Sequence, residues 1–418
     1  MSEPLPAPAA NRYAVLAIRD LRLYLVARFV ASFAQQMLGT AVGWELFNRT
    51  HSALALGFVG LTQIGPLLLL TLPAGHVADQ HSRRNIVLWM QALTALSCAG
   101  LTFVSWRQAP VAWTYGFLFL SGVARSFLWP ASGAYLPQLV PRHLLADAVT
   151  WSSGSFQLSA ALGPAAGGFI IAATRGAAAV YAFNVVAGIA CCGLIALVRT
   201  RPEPAKPQRM TLANLGVGLR FVFGTPVILG TITLDLFAVL LGGATALLPV
   251  YASDILHVGP DGLGLLKAAL PVGSASMAFF LAHRPPMRRA GHALLLAVAG
   301  FGAATLVFGL SRSFYLSLGM MFVCGATDNI SVVVRHTLVQ VLTPDEMRGR
   351  VSAINSLFIG ASNEFGEVES GTVAHFLGPV FAVVSGGIGT VLVVIATALL
   401  WPDLRRIGRL DEVPAADA

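Results

Sequence analysis

Two groups of ionisable residues sit where such residues are costly, and both have spacings that chemistry can use. The stretch Gly75 to Arg84, G-H-V-A-D-Q-H-S-R-R, sets Asp79, Arg83 and Arg84 in a short polar break between apolar runs at 53–77 and 85–106. Each run exceeds the roughly 20 residues that cross a bilayer. A carboxylate at one helix end accepts hydrogen bonds from guanidiniums or from the positive N-terminus of a neighbouring helix. Such a contact can be made in one conformation and broken in another, so Gly75, Asp79, Arg83 and Arg84 read as a charge latch. The simpler alternative is that the arginines only anchor the turn at the membrane surface. The second group is a stripe of Ser356, Gly360, Glu364, Glu367 and Gly371, spaced 4, 4, 3 and 4 along one helical face. Glu364 and Glu367 fall near mid-membrane, one turn apart. Two carboxylates that close disfavour double ionisation, so one can hold a proton in one state and lose it in another. Proton coupling needs such a group; hydrogen bonding to polar neighbours is the alternative. Glu369 points to another face.

Ionisable residues within apolar segments are functional candidates by default. Arg28, Gln35, Gln36 and Glu45 lie in the first segment. Arg28 reads as a substrate or gating residue, with a structural ion pair as the alternative. Glu45 either carries a proton or reaches the outer surface as an anchor. Arg125 stands near the height of Asp79. Asp235 and Lys267 either pair with each other or line a cavity. Asp328 and Arg335, seven residues apart on one helical face, either neutralise each other or act on a substrate. The run Ser159-x-x-x-Gly163-Pro164-x-x-Gly167-Gly168 combines a proline that removes a backbone donor with glycines that admit a close neighbour. Ordinary small-residue packing is the alternative there.

The elements that must position these residues follow from composition. Of 418 residues, 56% are hydrophobic and 11% charged, against about 25% charged in a soluble domain. Twelve apolar segments are expected, at 22–48, 53–77, 85–106, 110–133, 146–173, 176–199, 226–251, 261–283, 291–311, 313–338, 351–377 and 379–401. The R/P/E/K-rich stretch 200–209 separates six from six. Leu212, Leu215, Leu219 and Val222 after it have the spacing of a surface amphipathic helix. The layout is a six-helix bundle over 1–199, a linker with an amphipathic helix over 200–224, a second bundle over 225–402 and a tail over 403–418. A repeat supports two halves. Pro141-Arg-His-Leu-Leu and Pro344-Asp-Glu-Met-Arg are 203 residues apart (344 − 141), and Gly163 to Gly168 falls on Gly366 to Gly371 at the same offset. In the second half the latch is degenerate: around Arg284 to Arg289 the basic residues persist without the aspartate. Asp328 is repeat-related to Arg125.

The net charge of +8 could suggest nucleic acid, but roughly 19 of the 27 Lys and Arg fall in loops alternating onto one side. That asymmetry belongs to a polytopic membrane protein with both termini cytoplasmic. The Pro/Ala-rich start lacks the form of a cleavable signal. Cys98, Cys191, Cys192 and Cys324 lie in apolar runs, so neither a disulfide framework nor a metal site is expected. No catalytic signature or cofactor motif is present.

The latch residues resemble the loop between helices 2 and 3 of the major facilitator superfamily of secondary transporters, with Ser82 where that family usually has Gly. The segment Ser159 to Gly168 resembles the fifth-helix motif of the family's exporters, G-x-x-x-G-P-x-x-G-G, with Ser159 for the first Gly. Ala27-Arg28-Phe29-Val30-Ala31-Ser32 and Thr50-His51-Ser52, with Leu56-Gly57 after it, resemble the enterobactin-exporter and macrolide-efflux branch. The resemblance implies an all-α integral membrane fold of 12 transmembrane helices in two pseudo-symmetric bundles. It also implies pairing of Arg125 with the latch aspartate. The implied function is export of a small organic compound, drug or siderophore-like, by proton-coupled antiport in the cell's inner membrane, by a monomer without cofactors. Uptake or lipid flipping by the same fold is the alternative within transport. A receptor or scaffold that no longer transports is the alternative of another class.

Overall fold

The computed structural model describes residues 13–199, 212–285 and 287–409, and all regular elements among them are helical. The linker expected over 200–209 lies outside the described residues. In the first half run α1 (Arg19–Thr50), α2 (Ala53–Gln80), α3 (Arg83–Arg107), α4 (Ala112–Tyr135), α5 (Leu145–Thr174) and α6 (Ala178–Ala196). The short α7 (Leu212–Gly224) follows. The second half holds α8 (Pro226–Leu241), the one-turn α9 (Leu248–Val250), α10 (Gly259–Ala282), α11 (Ala290–Leu310), α12 (Phe314–Val341), α13 (Asp345–Leu377) and α14 (Pro379–Leu400), with α15 (Pro402–Arg406) at the end.

Each of the twelve expected segments corresponds to a helical stretch. Among the described residues, nine have both the length and the hydropathy to cross a membrane. The other three, α1, α4 and α13, have 32, 24 and 33 residues, or about 36 Å and more at 1.5 Å per residue. They fall short in hydropathy rather than length, and they carry most of the polar residues singled out above. The outward-facing side chains confirm the solvent: Leu69, Trp89, Leu296 and Phe376 are more than 70% exposed. A soluble protein would not leave so many large apolar groups uncovered; lipid covers them here.

Tight reversals join the helices at the end away from the basic loops. His51, Gln108 and Arg175 take the left-handed conformation that closes α1, α3 and α5. Gly378, at φ 91°, turns the chain from α13 into Pro379, which opens α14.

The seventh segment differs from its expected form. A continuous span over 226–251 was expected, but α8 stops at Leu241 and the chain proceeds through Gly242-Gly243, a 3-10 turn, α9 and a π turn over Tyr251–Ile255. A side chain at Gly243 would meet Ser370 Oγ at 2.6 Å and Gly366 O at 2.9 Å. The absent Cβ therefore lets the broken segment lie directly on α13. Irregular backbone at membrane depth is tolerated where protein covers it or a cavity is lined, and both hold here.

The apolar cores show which end of the molecule is closed. One cluster joins Leu46, Phe47 and Leu56 of the first half to Leu247, Leu248, Tyr251, Leu263 and Leu266 of the second. It lies at the end away from the basic loops. The remaining described clusters each belong to one half. The halves thus share an apolar core at one end, while the clusters toward the other end are private to each half.

Two glycine crossings hold that shared end. Where α5 meets α10, a Cβ on Gly264 would lie 2.5 Å from Pro164 O and 3.1 Å from Gly168 Cα. Where α13 meets α2, a Cβ on Gly371 would lie 2.7 Å from Gly57 Cα. Gly168 and Gly371 are the repeat-related pair (371 − 168 = 203). The same small residue thus serves the same crossing in each half.

Candidate functional site

The fifth-helix motif has two faces. A Cβ on Gly163 would strike Gln36 Cβ at 2.6 Å, and one on Gly167 would approach Met37 Cα at 3.1 Å, so these glycines seat α5 on α1 within the first half. Ser159 Oγ donates to Phe29 O at 3.3 Å on the same side. Pro164 and Gly168 face α10 of the other half. The motif therefore fixes α1 against α5 and leaves the α5–α10 crossing as a contact between halves.

Beside that crossing is a cavity of about 140 Å³ between the halves. Gln35 of α1, Gln63 of α2 and Ser121 of α4 line it from one side. Thr245, Pro249 and Lys267 line it from the other, with Glu367 of α13. The broken segment after α8 supplies Thr245 and Pro249, so the helix break builds one wall.

Two polar contacts and one close packing contact cross between the halves at this level. Lys267 Nζ donates to Gly39 O at 2.9 Å, which ties α10 to α1. Arg125 Nη2 donates to Glu364 Oε1 at 2.5 Å, which ties α4 to α13. The Glu367 side chain lies over Gly60, where a Cβ would be 2.9 Å from its own Cβ and 3.3 Å from its Oε2. Only a glycine leaves that carboxylate room. The two cations and two carboxylates balance, and each is held partly by the opposite half.

Of the sequence candidates, Gln35, Lys267 and Glu367 line this cavity, and Glu364 lies one turn from Glu367. Sequence reasoning missed Gln63 and Ser121, whose signal was an amide and a hydroxyl inside apolar runs, and Thr245, whose signal was the Gly242-Gly243 pair with Pro249 a turn later.

Other candidates lie elsewhere. Arg125 meets Glu364 of the other half rather than a partner in its own. Asp235 pairs with Arg335, not with Lys267. The pair is buried, at 10% and 3% side-chain exposure, inside the second bundle. Asp328 forms no ion pair with Arg335, because that guanidinium is turned toward α8. Glu45 pairs with Arg49 at 3.5 Å, and Arg49 also donates to Ala109 O. Both hold the end of α1 outside the cavity. Arg28 Nη1 donates to Tyr24 Oη at 3.4 Å, and Tyr24 Oη donates to Ser132 O at 3.1 Å.

The latch arginines act within the first half. Arg83 Nη1 donates to Ala134 O at 2.9 Å. Arg84 Nε and Nη2 donate to Ile195 O and Ala196 O at 3.2 and 2.6 Å. These are carbonyls at the C-terminal ends of α4 and α6, where cations are favoured. Gly75 and Asp79 lie in the last turns of α2; the side chain of Asp79 is outside those described.

A family profile described as transmembrane secretion effector matches residues 10–417. The chain belongs to that family, within the major facilitator superfamily. Among relatives of this secretion-effector chain, the enterobactin exporter EntS of Citrobacter koseri is 27% identical over 395 residues, 94% of each chain. Among solved structures, the D-xylose-proton symporter is similar at a TM-score of 0.70, with 17% identity over 93% of this chain and 99% of that one. The POT family transporter PepTSo gives 0.75, with 11% identity over 93% and 99%. At such identities the structures establish the shared transporter fold alone. A secretion-effector chain of this fold is a membrane transporter.

Proposed function

We propose that the protein exports a small organic compound by exchange with protons and alternating access. In this reading the basic loops face the cytoplasm and the core shared between the halves closes the outer side. What carries the reading is the cavity between the halves, where Lys267, Glu367 and the Arg125–Glu364 pair all meet contacts from the opposite half.

The exchange follows from competition for the carboxylates. In the cytoplasm-open state Glu364 is tied to Arg125, and Glu367 faces the same cavity as Lys267. A substrate whose hydroxyl or amino groups donate to Glu367 and Glu364 excludes a proton from the same oxygens. Its acidic or carbonyl oxygens meet Lys267 and Arg125. Once the site faces outward, protonation removes the acceptors and releases the substrate. The protonated site then returns. Proton and substrate thus occupy the site alternately. The relative named as an enterobactin exporter points to a siderophore-like molecule bearing both donors and acidic groups.

The test uses inside-out vesicles with an acid interior. Substrate should enter as protons leave, and dissipate the gradient. Glu367→Gln should abolish that exchange while the protein remains folded. Unchanged coupled flux in Glu367→Gln would refute the mechanism.

A further inference from the structure

The loop before α11 is the second-half counterpart of the latch, with the basic residues kept and no aspartate. In the first half, Arg83 and Arg84 are occupied by helix carbonyls. In the second, Arg288 and Arg289 join His292, Arg405 and Arg406 around a cavity of about 610 Å³. Asp403 pairs with Arg406 at 3.3 Å. The guanidiniums of Arg288, Arg289 and Arg405 have no hydrogen-bond or ion-pair partner among the described residues.

The cavity is assembled from segments more than a hundred residues apart, and the backbone fixes them together. Ala290 N donates to Gly408 O at 2.9 Å and Gly291 N to Ile407 O at 3.3 Å. A Cβ on Gly291 would fall 1.8 Å from Leu404 O, so only glycine lets the tail lie this close. Three unpartnered guanidiniums are thereby held on one concave surface at the membrane boundary.

We propose that this cradle binds the phosphate-bearing headgroup of an anionic membrane lipid. Guanidiniums present paired N–H donors that match phosphate oxygens. The lipid source is favoured over a soluble phosphate by what adjoins the cavity. Leu296, one helical turn above His292 on the same face, is 72% exposed, and Leu399 and Leu400, just before Trp401 and Pro402, are 69% exposed. This apolar strip continues from the cationic cradle as acyl chains continue from a headgroup. A bound headgroup would bridge Arg288 and Arg289 to Arg405 and staple the tail to α11.

The experiment measures lipid retained by the purified full-length protein in native mass spectrometry, and its binding in nanodiscs of phosphatidylcholine with or without phosphatidylglycerol. The wild-type protein should retain phosphatidylglycerol over phosphatidylcholine. R288Q/R289Q/R405Q should lose that preference by about a hundredfold, from three basic contacts removed at a membrane surface. R288K/R289K/R405K should keep most of it, which separates lost binding from lost folding. R19Q/R22Q/R142Q removes three exposed charges elsewhere on the basic end and should keep it. Equal loss in that control would reduce the effect to diffuse surface charge and overturn the site. Displacement of the lipid by millimolar inorganic phosphate would overturn the lipid assignment in favour of a soluble anion. An unchanged preference in R288Q/R289Q/R405Q would overturn the proposal outright.

Discussion

At Glu364 a single charge joins the two halves. The carboxylate receives a charge-assisted bond from Arg125 of the opposite bundle, and bonds to charged groups contribute about 1.5–3 kcal/mol. Arg125 is 37% exposed at its side chain, which places its share toward the lower end. Glu364→Gln keeps the shape and removes the charge, so coupled exchange should fall at least about tenfold and substrate binding in detergent should weaken with it. Exchange at the wild-type rate would show that the pair is incidental. Asp235 and Arg335 make the opposite case. Their ion pair lies within one bundle, away from the cavity, so its contribution should appear in stability. Removing one partner of a buried pair costs roughly 3–5 kcal/mol, whereas replacing both by apolar residues is often neutral. Arg335→Met should lower the unfolding midpoint in thermal or denaturant titration, and Asp235→Leu with Arg335→Met should restore most of it. Loss of transport in the double variant at wild-type stability would move the pair into the transport machinery.

Among the elements, α2, α5, α10 and α13 form the contact between halves, and their crossings depend on absent side chains. Gly371→Leu would put atoms within the 2.7 Å that a Cβ alone leaves to Gly57 Cα. Both neighbours are backbone, so the helices must separate. The expected effect is opening of the shared end. A cysteine at Leu247, fully buried in that end, should become reactive to an impermeant maleimide in Gly371→Leu, with the four native cysteines replaced. Unchanged protection would mean that the crossing does not govern closure. The sequence carried these crossings only as a pattern. Helix positions were legible because about 20 consecutive apolar residues have few other uses, and the offset between Gly163–Gly168 and Gly366–Gly371 announced a repeat. The partner of each glycine was not legible, since spacing along one helix says nothing about which helix packs on it. Pairing failed to read out for the same reason: Asp235 lies 32 residues from Lys267 and 100 from Arg335 (267 − 235 and 335 − 235), and only packing chose the farther one. The break after α8 was hidden by its hydropathy, which stays high through Leu247 and Leu248 although Gly242-Gly243 ends the helix.

For the whole molecule, the distribution of cores defines a two-state element. One apolar cluster is shared between the halves and the others are private to one half. A rocking motion that keeps each private core intact must therefore trade the shared cluster for new contacts at the basic end. The Arg83 and Arg84 bonds to the ends of α4 and α6 keep the first half's basic end together in the described state. Moving a population from 1:99 to 99:1 takes about 5.5 kcal/mol of differential binding. One carboxylate at mid-depth can supply part of that, and the substrate the rest. Spin labels at Gln108 and Arg312 report the end away from the basic loops, and labels at Arg142 and His283 report the basic end. Lowering the pH should lengthen the first distance and shorten the second. Glu364→Gln should lengthen the first distance at constant pH, because it removes the charge that Arg125 holds across the halves. If both distances lengthen together the halves are dissociating rather than rocking, and if neither responds to pH or to Glu364→Gln the mid-depth carboxylates do not set the conformational balance.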